Sequence, residues 1–332
     1  MPHRLHRRTL LGAALATPFL GTPFLATAAR AQGAWSPDRP VRLIVPFAPG
    51  GSQDVLGRLF AQAVSQSVGQ NVVIENRAGA GGIIGAQETA RAAPDGLTLL
   101  LATAGQLTIA KAVGRRLAYD PVADFAPIIH LSDSPVALAA APSLPVANTR
   151  ELIAYCKAAR TPVPYGSTGI GTNTHLIMED LKAREGLNVE HIPYRGAAAA
   201  FNDLAAGRIS LMFISVASVL AVSGAQMKVL GVSSRERFPA TPDVPTLIEG
   251  GLAGFEASIW TGIAAPAATP GPIVERWRAE FAKALDTDLV KSRLPALGSV
   301  ANGGGPAEFG RLLREDLERW TRVAAPLSIS LE

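Results

Sequence analysis

After Gln32 the chain alternates between short apolar runs and longer stretches whose apolar residues recur every three or four positions. VRLIVPF (41–47), apolar but for Arg42, reads as a buried strand. Residues 54–68 place Val55, Leu59, Ala63 and Val64 on one helical face. NVVIEN (71–76) is a second strand, followed by a glycine-rich turn, a helix over about 82–92 and a Pro94-Asp95-Gly96 stop. LTLLLAT (97–103) is a third strand, QLTIAKAV a helix, and FAPIIHL with PVALAAAP (125–131, 135–142) an almost continuous extended stretch. Strand–helix–strand alternation of this kind predicts a parallel sheet covered by helices on both faces.

The rhythm restarts near residue 148. NTRELIAYCKAAR reads as a helix opened by Asn148 or Thr149, and VPYGS as a strand; THLIMEDLKAREG is a helix ended by Gly186, and VEHIPY a strand. AAAAFNDLAAG, ISLMFIS and MKVLGVSS complete a second α/β unit. SIWTGIAAPAATP is one further extended segment, after which only helices are expected. Helices without strands must dock on a sheet built earlier, so the tail is expected to return to the first unit. The chain then crosses twice, near 131–137 and 259–266. The expected architecture is two parallel-sheet α/β lobes joined by a two-strand hinge. Its first domain is 36–132 plus 264–332 and its second 133–263, with the ligand in the cleft.

Charge changes one part of this picture. The formal net charge is +4, but residues 1–31 carry Arg4, Arg7, Arg8 and Arg30 and no acid; without them 27 basic residues balance 27 acidic ones. A neutral protein has no general attraction to nucleic acid or anionic membrane. The same 31 residues have a basic start, a modest apolar stretch and Ala29-Arg30-Ala31, an A-x-A cleavage pattern, which predicts a signal peptide cut after about Ala31 and export to the periplasm. Arg7-Arg8 fits a twin-arginine leader and an ordinary secretory one equally. The single cysteine, Cys156, excludes an internal disulfide and reads as a small buried residue.

Glycine-rich turns follow the strands, where open α/β sheets present ligands. FAPGGSQD (47–54) and YGSTGIGTNTHL (165–176) are the leading pair, with ATAG (102–105) and YRGAAAAFND (194–203) behind them. Backbone donors in such turns, with hydroxyls from Ser52, Thr103, Ser167, Thr168 and Thr172, suit a carboxylate held without a salt bridge. Each turn alone is equally well a simple βα connection with Ser52 as a helix cap. RAGAGGIIG (77–85) lacks the dinucleotide spacing, having Ile84 where the third glycine should fall, so no cofactor is expected. The three histidines beyond the leader, His130, His175 and His191, have no metal-ligand spacing. His175 opens a helix beside the second loop, positioned to touch a ligand or to cap and pack. Asp54 and Asp203 fix loop and helix ends or reach water in the cleft, and Arg195 is the one cation beside a candidate loop.

These motifs, VPFAPGGSQD, ENRAGAGGIIGA, YGSTGIGTNTHL, IPYRGAAAAFNDLAAGRISLMF and FEASIWTGIAAPAATP, resemble in order the Bug family, TctC-like receptors of tripartite tricarboxylate transporters, over residues 36–332. The resemblance implies a type II-like periplasmic-binding-protein fold and a solute-binding protein that closes on a small organic acid: a di- or tricarboxylate, an amino acid or an aromatic carboxylate. It implies membrane transporter subunits as partners and no catalysis, with a monomer expected. Carried onto this chain, the carboxylate loops are Phe47, Ala48, Gly50, Gly51, Ser52 and Asp54 with Ser167, Thr168, Gly169, Gly171 and Thr172; the region of Asp203 serves the distal end. Arg195 stands where the family commonly has lysine, and TAGQLT (103–108) and Ile214-Ser215 also depart from its pattern, which bears on ligand identity. Two other readings stay open: an enzyme acting on a carboxylated substrate through His175 or Asp203, and a ligand sensor for a signalling partner.

Overall fold

The computed structural model describes residues 35–221, 226–327 and 329; the leader expected over 1–31 lies outside them. The first sheet is built by β1 (Val41–Val45), α1 (Ser52–Val68), β2 (Val72–Asn76), α2 (Ile83–Ala90), β3 (Thr98–Thr103), α3 (Ala110–Ala112) and β4 (Phe125–Ala140). There follow α4 (Thr149–Ala158), β5 (Val163–Ser167), α5 (Asn173–Glu185), β6 (Val189–Pro193), α6 (Ala197–Ala205), β7 (Leu211–Ser215), α7 (Val216–Ala221) and β8 (Lys228–Val232). The chain ends with β9 (Ser258–Pro266), α8 (Gly271–Asp286), α9 (Asp288–Arg293), β10 (Val300–Gly304) and α10 (Pro306–Ala324). Among the described residues no helix is long and apolar enough to cross a membrane.

The strands form two sheets joined through β4. In the first, β2, β1 and β3 run parallel, β9 joins β3 antiparallel, and β4 joins β9. In the second, β6, β5 and β7 run parallel and β7 pairs antiparallel with β4, whose other edge carries β8. The two apolar runs read as 125–131 and 135–142 are one strand: β4 pairs with β9 as far as Pro135 and with β7 from Val136. This is the two-lobed α/β architecture that the alternation of elements predicts, with β4 and β9 as the hinge strands.

Two expectations fail. Residues 300–304, VANGG, form a strand, β10, on β4. Glycine and asparagine have poor strand propensity, so the open edge of β4 makes this strand, not local preference. On α1 the buried face is Leu56, Leu59, Phe60, Ala63 and Val64, whereas Val55 is 39 % exposed. Each of the large side chains on that face contributes roughly 1.5–3 kcal/mol by leaving water.

The tail does return to the first sheet, where α8 packs on α1 and β4, but α10 runs further. Phe309 of α10 lies on β9 at Gly262, and Asp316 accepts hydrogen bonds from Thr108 Oγ1 (2.6 Å) and Trp260 Nε1 (3.0 Å). One turn on, Arg319 Nη2 donates to Asp180 Oδ2 of α5 at 2.6 Å, so this helix touches both lobes.

A methyl group at Gly262 would meet the Phe309 ring and lie 2.8 Å from the Ile129 carbonyl oxygen, part of the backbone of β4. Gly262→Ala is therefore expected to destabilise the protein by roughly 2 kcal/mol or more, measured by urea unfolding. An unchanged midpoint would mean that α10 does not pack on β9.

Candidate functional site

Strand register fixes where the loops meet. β3 ends at Thr103, opposite Thr261 of β9, which in turn faces Ser132 of β4. β7 ends at Ser215, opposite Val136 of β4, with β5 parallel to it. The carboxyl ends of the parallel strands in both sheets thus converge, from opposite directions, on residues 132–136 of β4. The loops after β1 and β5 leave those ends.

In the first loop Asp54 is the organiser. Its carboxylate is buried and accepts from Gly50 N (2.9 Å), Arg58 Nε (3.0 Å) and Asn76 Nδ2 (2.8 Å). Asn76 also donates to the Phe47 carbonyl at 3.1 Å. The Arg58 guanidinium, with the Gly50 amide and Asn76 assisting against burial, holds the Asp54 carboxyl at a pKa of about 2. Asp54 is spent within the loop and shapes it. Gly50 has φ +81°, a left-handed conformation that favours glycine. Gly51 does not need to be glycine: its φ is −73° and an added Cβ would sit 3.5 Å from the nearest atom, Ala48 O. It caps α1 in place of Ser52, which is the first helical residue. No side chain caps α1, so the amides of its first turn lie beside the exposed Ala48, Gly50, Gly51 and Ser52, with Phe47 half-buried below.

The second loop is built the same way. Gly169 (φ +141°) and Gly171 (φ +68°) turn the chain, and Thr172 Oγ1 donates to Gly169 O at 2.7 Å. Thr168 N donates to Thr174 Oγ1 at 3.1 Å, and Thr168 Oγ1 lies 3.2 Å from Thr172 Oγ1. With its hydroxyl turned back, Thr172 leaves α5 uncapped. Ser167 is fully buried, donating to Gly169 O (3.0 Å) and touching His191 Nε2 (2.6 Å). His175 caps and packs: its Nδ1 accepts from Gly171 N at 3.1 Å, and its ring stacks on His191 with centroids 3.8 Å apart. His191 stacks in turn on its cross-strand neighbour Tyr165, whose hydroxyl is held by Glu179 at 2.5 Å.

The remaining candidates divide. Thr103 is buried at the end of β3 and donates to Gln106 Oε1 at 2.6 Å, while its register partner Thr261 donates to Gln53 Oε1 of α1 at 3.2 Å. Asp203 is held by Tyr194 Oη (2.6 Å) and Arg208 Nε (2.9 Å), which keep its carboxyl below the usual range. Arg195 is exposed before α6, itself uncapped after Gly196. The sequence carried a signal for Arg58, one helical turn after Asp54, but none for Asn76, Gln53, Tyr165 or His191, which depend on strand pairing. Among the described residues no three His, Cys, Asp or Glu side chains gather as a metal site.

Burial pushes both His175 and His191 down to about pKa 4, Lys182 adding to the effect on His175, and the neighbouring His175 and Lys182 to that on His191 against Glu179. An unfolded histidine titrates near about 6.5. Between those values the unfolded chain binds more protons, so the stability these neutral rings supply is complete above about pH 6.5 and is lost as pH falls toward 4. Thermal melts across this window should fall in wild type and fall less in the His175→Gln/His191→Gln variant. Parallel curves would place the titration elsewhere.

Comparison with known proteins gives the family. The sequence model described as "Tripartite tricarboxylate transporter family receptor" matches residues 56–328. Protein BugT of Bordetella pertussis is 33 % identical, the match covering 89 % of this chain and 91 % of that protein. MatC of Rhodopseudomonas palustris, solved with bound malate, is 33 % identical with a TM-score of 0.72, covering 87 % of this chain and 99 % of that one. Rpa4515 of R. palustris, solved with adipate, is 33 % identical with a TM-score of 0.76, covering 89 % and 99 %. With the motifs in family order and the two-lobed fold in place, this chain belongs to the Bug/TctC family of periplasmic solute-binding receptors of tripartite tricarboxylate transporters.

Proposed function

We propose that this receptor captures a small organic carboxylate between its lobes, 36–132 with 264–332 and 133–263, and hands it unaltered to membrane subunits of a tripartite transporter. It acts in the periplasm, as a monomer, once the leader has been cut after about Ala31. The observation that carries this reading is that two uncapped helix N-termini, α1 and α5, follow parallel strands whose carboxyl ends converge on residues 132–136 of β4. Each presents backbone N–H groups and the positive end of a helix dipole, and together they suit an anion without a buried counter-charge. The malate and adipate of the two relatives are both dicarboxylates, which fits one carboxylate in this clamp and the rest of the molecule toward Arg195 and water near Asp203.

In this reading Gly50, Gly51 and Ser52 grip from one side and Thr168, Gly169, Gly171 and Thr172 from the other, with Phe47, Ala48 and Thr103 shaping the floor. Asp54, Ser167 and His175 hold the loops in shape. Closure follows because only the closed form offers both sets of donors, so the ligand binds it better and populates it. Capture rather than chemistry fits Ser167: although it touches His191, its side chain is buried under the loop and already bonded to Gly169.

Gly51 gives the cleanest test, since neither its backbone angle nor its packing requires glycine. Gly51→Val should cost no more than about 1 kcal/mol of stability while weakening dicarboxylate binding by about a hundredfold or more. Calorimetric titration with a panel including malate and adipate measures the affinity, and mass spectrometry of the recovered acid checks that it is unchanged. Equal affinity in wild type and variant would remove the first loop from the site, and a chemically altered acid would favour the enzyme reading.

A further inference from the structure

An aromatic-walled cavity lies away from the loops. About 530 Å³ in volume, it lies behind the hinge, between β4, the segment 233–239 after β8, the start of β9, and α10. Its size is that of a small-molecule site, and none of residues 47–54 or 165–172 lines it.

We infer that this cavity is a second binding site, for a small protonated amine carrying an apolar body. The apolar part has Phe238, Trp260, Leu312 and Trp320 for walls. The charge follows from what the chain has already paired. Three guanidiniums line the cavity, and each is engaged: Arg235 with Glu256 at 2.9 Å, Arg237 with Glu249 at 3.0 Å and Arg319 with Asp180 at 2.6 Å. Asp316 is different. Its two close donors, Thr108 Oγ1 and Trp260 Nε1, are neutral and both go to Oδ2, while the nearby Arg319 guanidinium is tied to Asp180 and to the Glu256 carbonyl.

Burial pushes the Asp316 pKa up, against its own hydrogen bonds and the charge of Arg319 one turn along α10. An ammonium group at Oδ1 supplies the counter-charge, and Glu236 and Asp133 on the same wall add to the negative field. An anionic ligand would instead face these carboxylates, while each lining arginine already holds one of the protein's own acids. Because the lining comes from the hinge strand, the second lobe and the helix that touches both lobes, an occupant here bears on the hinge directly.

The probe is 2-phenylethylammonium, titrated into the whole protein near pH 7 and followed by calorimetry and by tryptophan fluorescence, since Trp260 and Trp320 line the cavity. Saturable binding with Kd below about 1 mM is expected, and about tenfold weaker binding of the uncharged 2-phenylethanol. Asp316→Asn should lose the preference for the charged probe. Should that variant fail to fold, because Asp316 also anchors Thr108 and Trp260, Leu312→Arg decides. It adds a second guanidinium, on the cavity wall one helical turn before Asp316, and should abolish binding of the amine while leaving the carboxylate's own bonds in place. Equal binding of amine and alcohol, undiminished binding in folded Leu312→Arg, or no saturation by about 10 mM would overturn the assignment.

Discussion

A β-strand has two hydrogen-bonding edges, and β4 uses both of them in both sheets. Through its first half it holds β9 on one edge and β10 on the other; through its second it holds β7 and β8. Everything else takes its position from this. The direction of β4 sets β9 antiparallel to it in one lobe and β7 antiparallel in the other, and these opposite relations turn the carboxyl ends of both parallel sets toward the crossing. A site between the lobes is thus a consequence of strand polarity before any side chain is considered.

The loops at that crossing share one principle. Their polar side chains are consumed in fixing the loops themselves: Asp54 by Arg58 and Asn76, Thr172 by Gly169, and His175 by Gly171. What remains outward is main chain, oriented and held before any ligand arrives. Such preorganisation lowers the ordering entropy that binding must overcome. It also leaves selectivity to residues further out, since amides recognise any carboxylate.

Much of this was legible in the sequence because it is local. Strand–turn–helix units show in the hydrophobic period, and a glycine loop after a strand announces itself by composition. The two linked apolar runs of β4 and the late SIWTGIAAP segment gave the hinge. Features that depend on the assembled sheet left no such trace. VANGG becomes a strand only because an edge of β4 is open, and the Tyr165–His191–His175 stack exists only through the pairing of β5 with β6. Asn76 looked like an ordinary strand end, yet it bridges the Phe47 carbonyl and the Asp54 carboxylate. Val55 kept the helical period but turns outward between Asp54 and Leu56, which are both buried.

The reach of α10 across both lobes restricts how the receptor can move. With Phe309 seated on β9 and Arg319 tied to Asp180, the rear of the molecule is laced like the spine of a book. The covers can part only at the fore-edge, where the glycine loops lie. Swinging about a bound spine gives a large gap at the mouth for little strain at the back, and the page strands β4 and β9 need only flex.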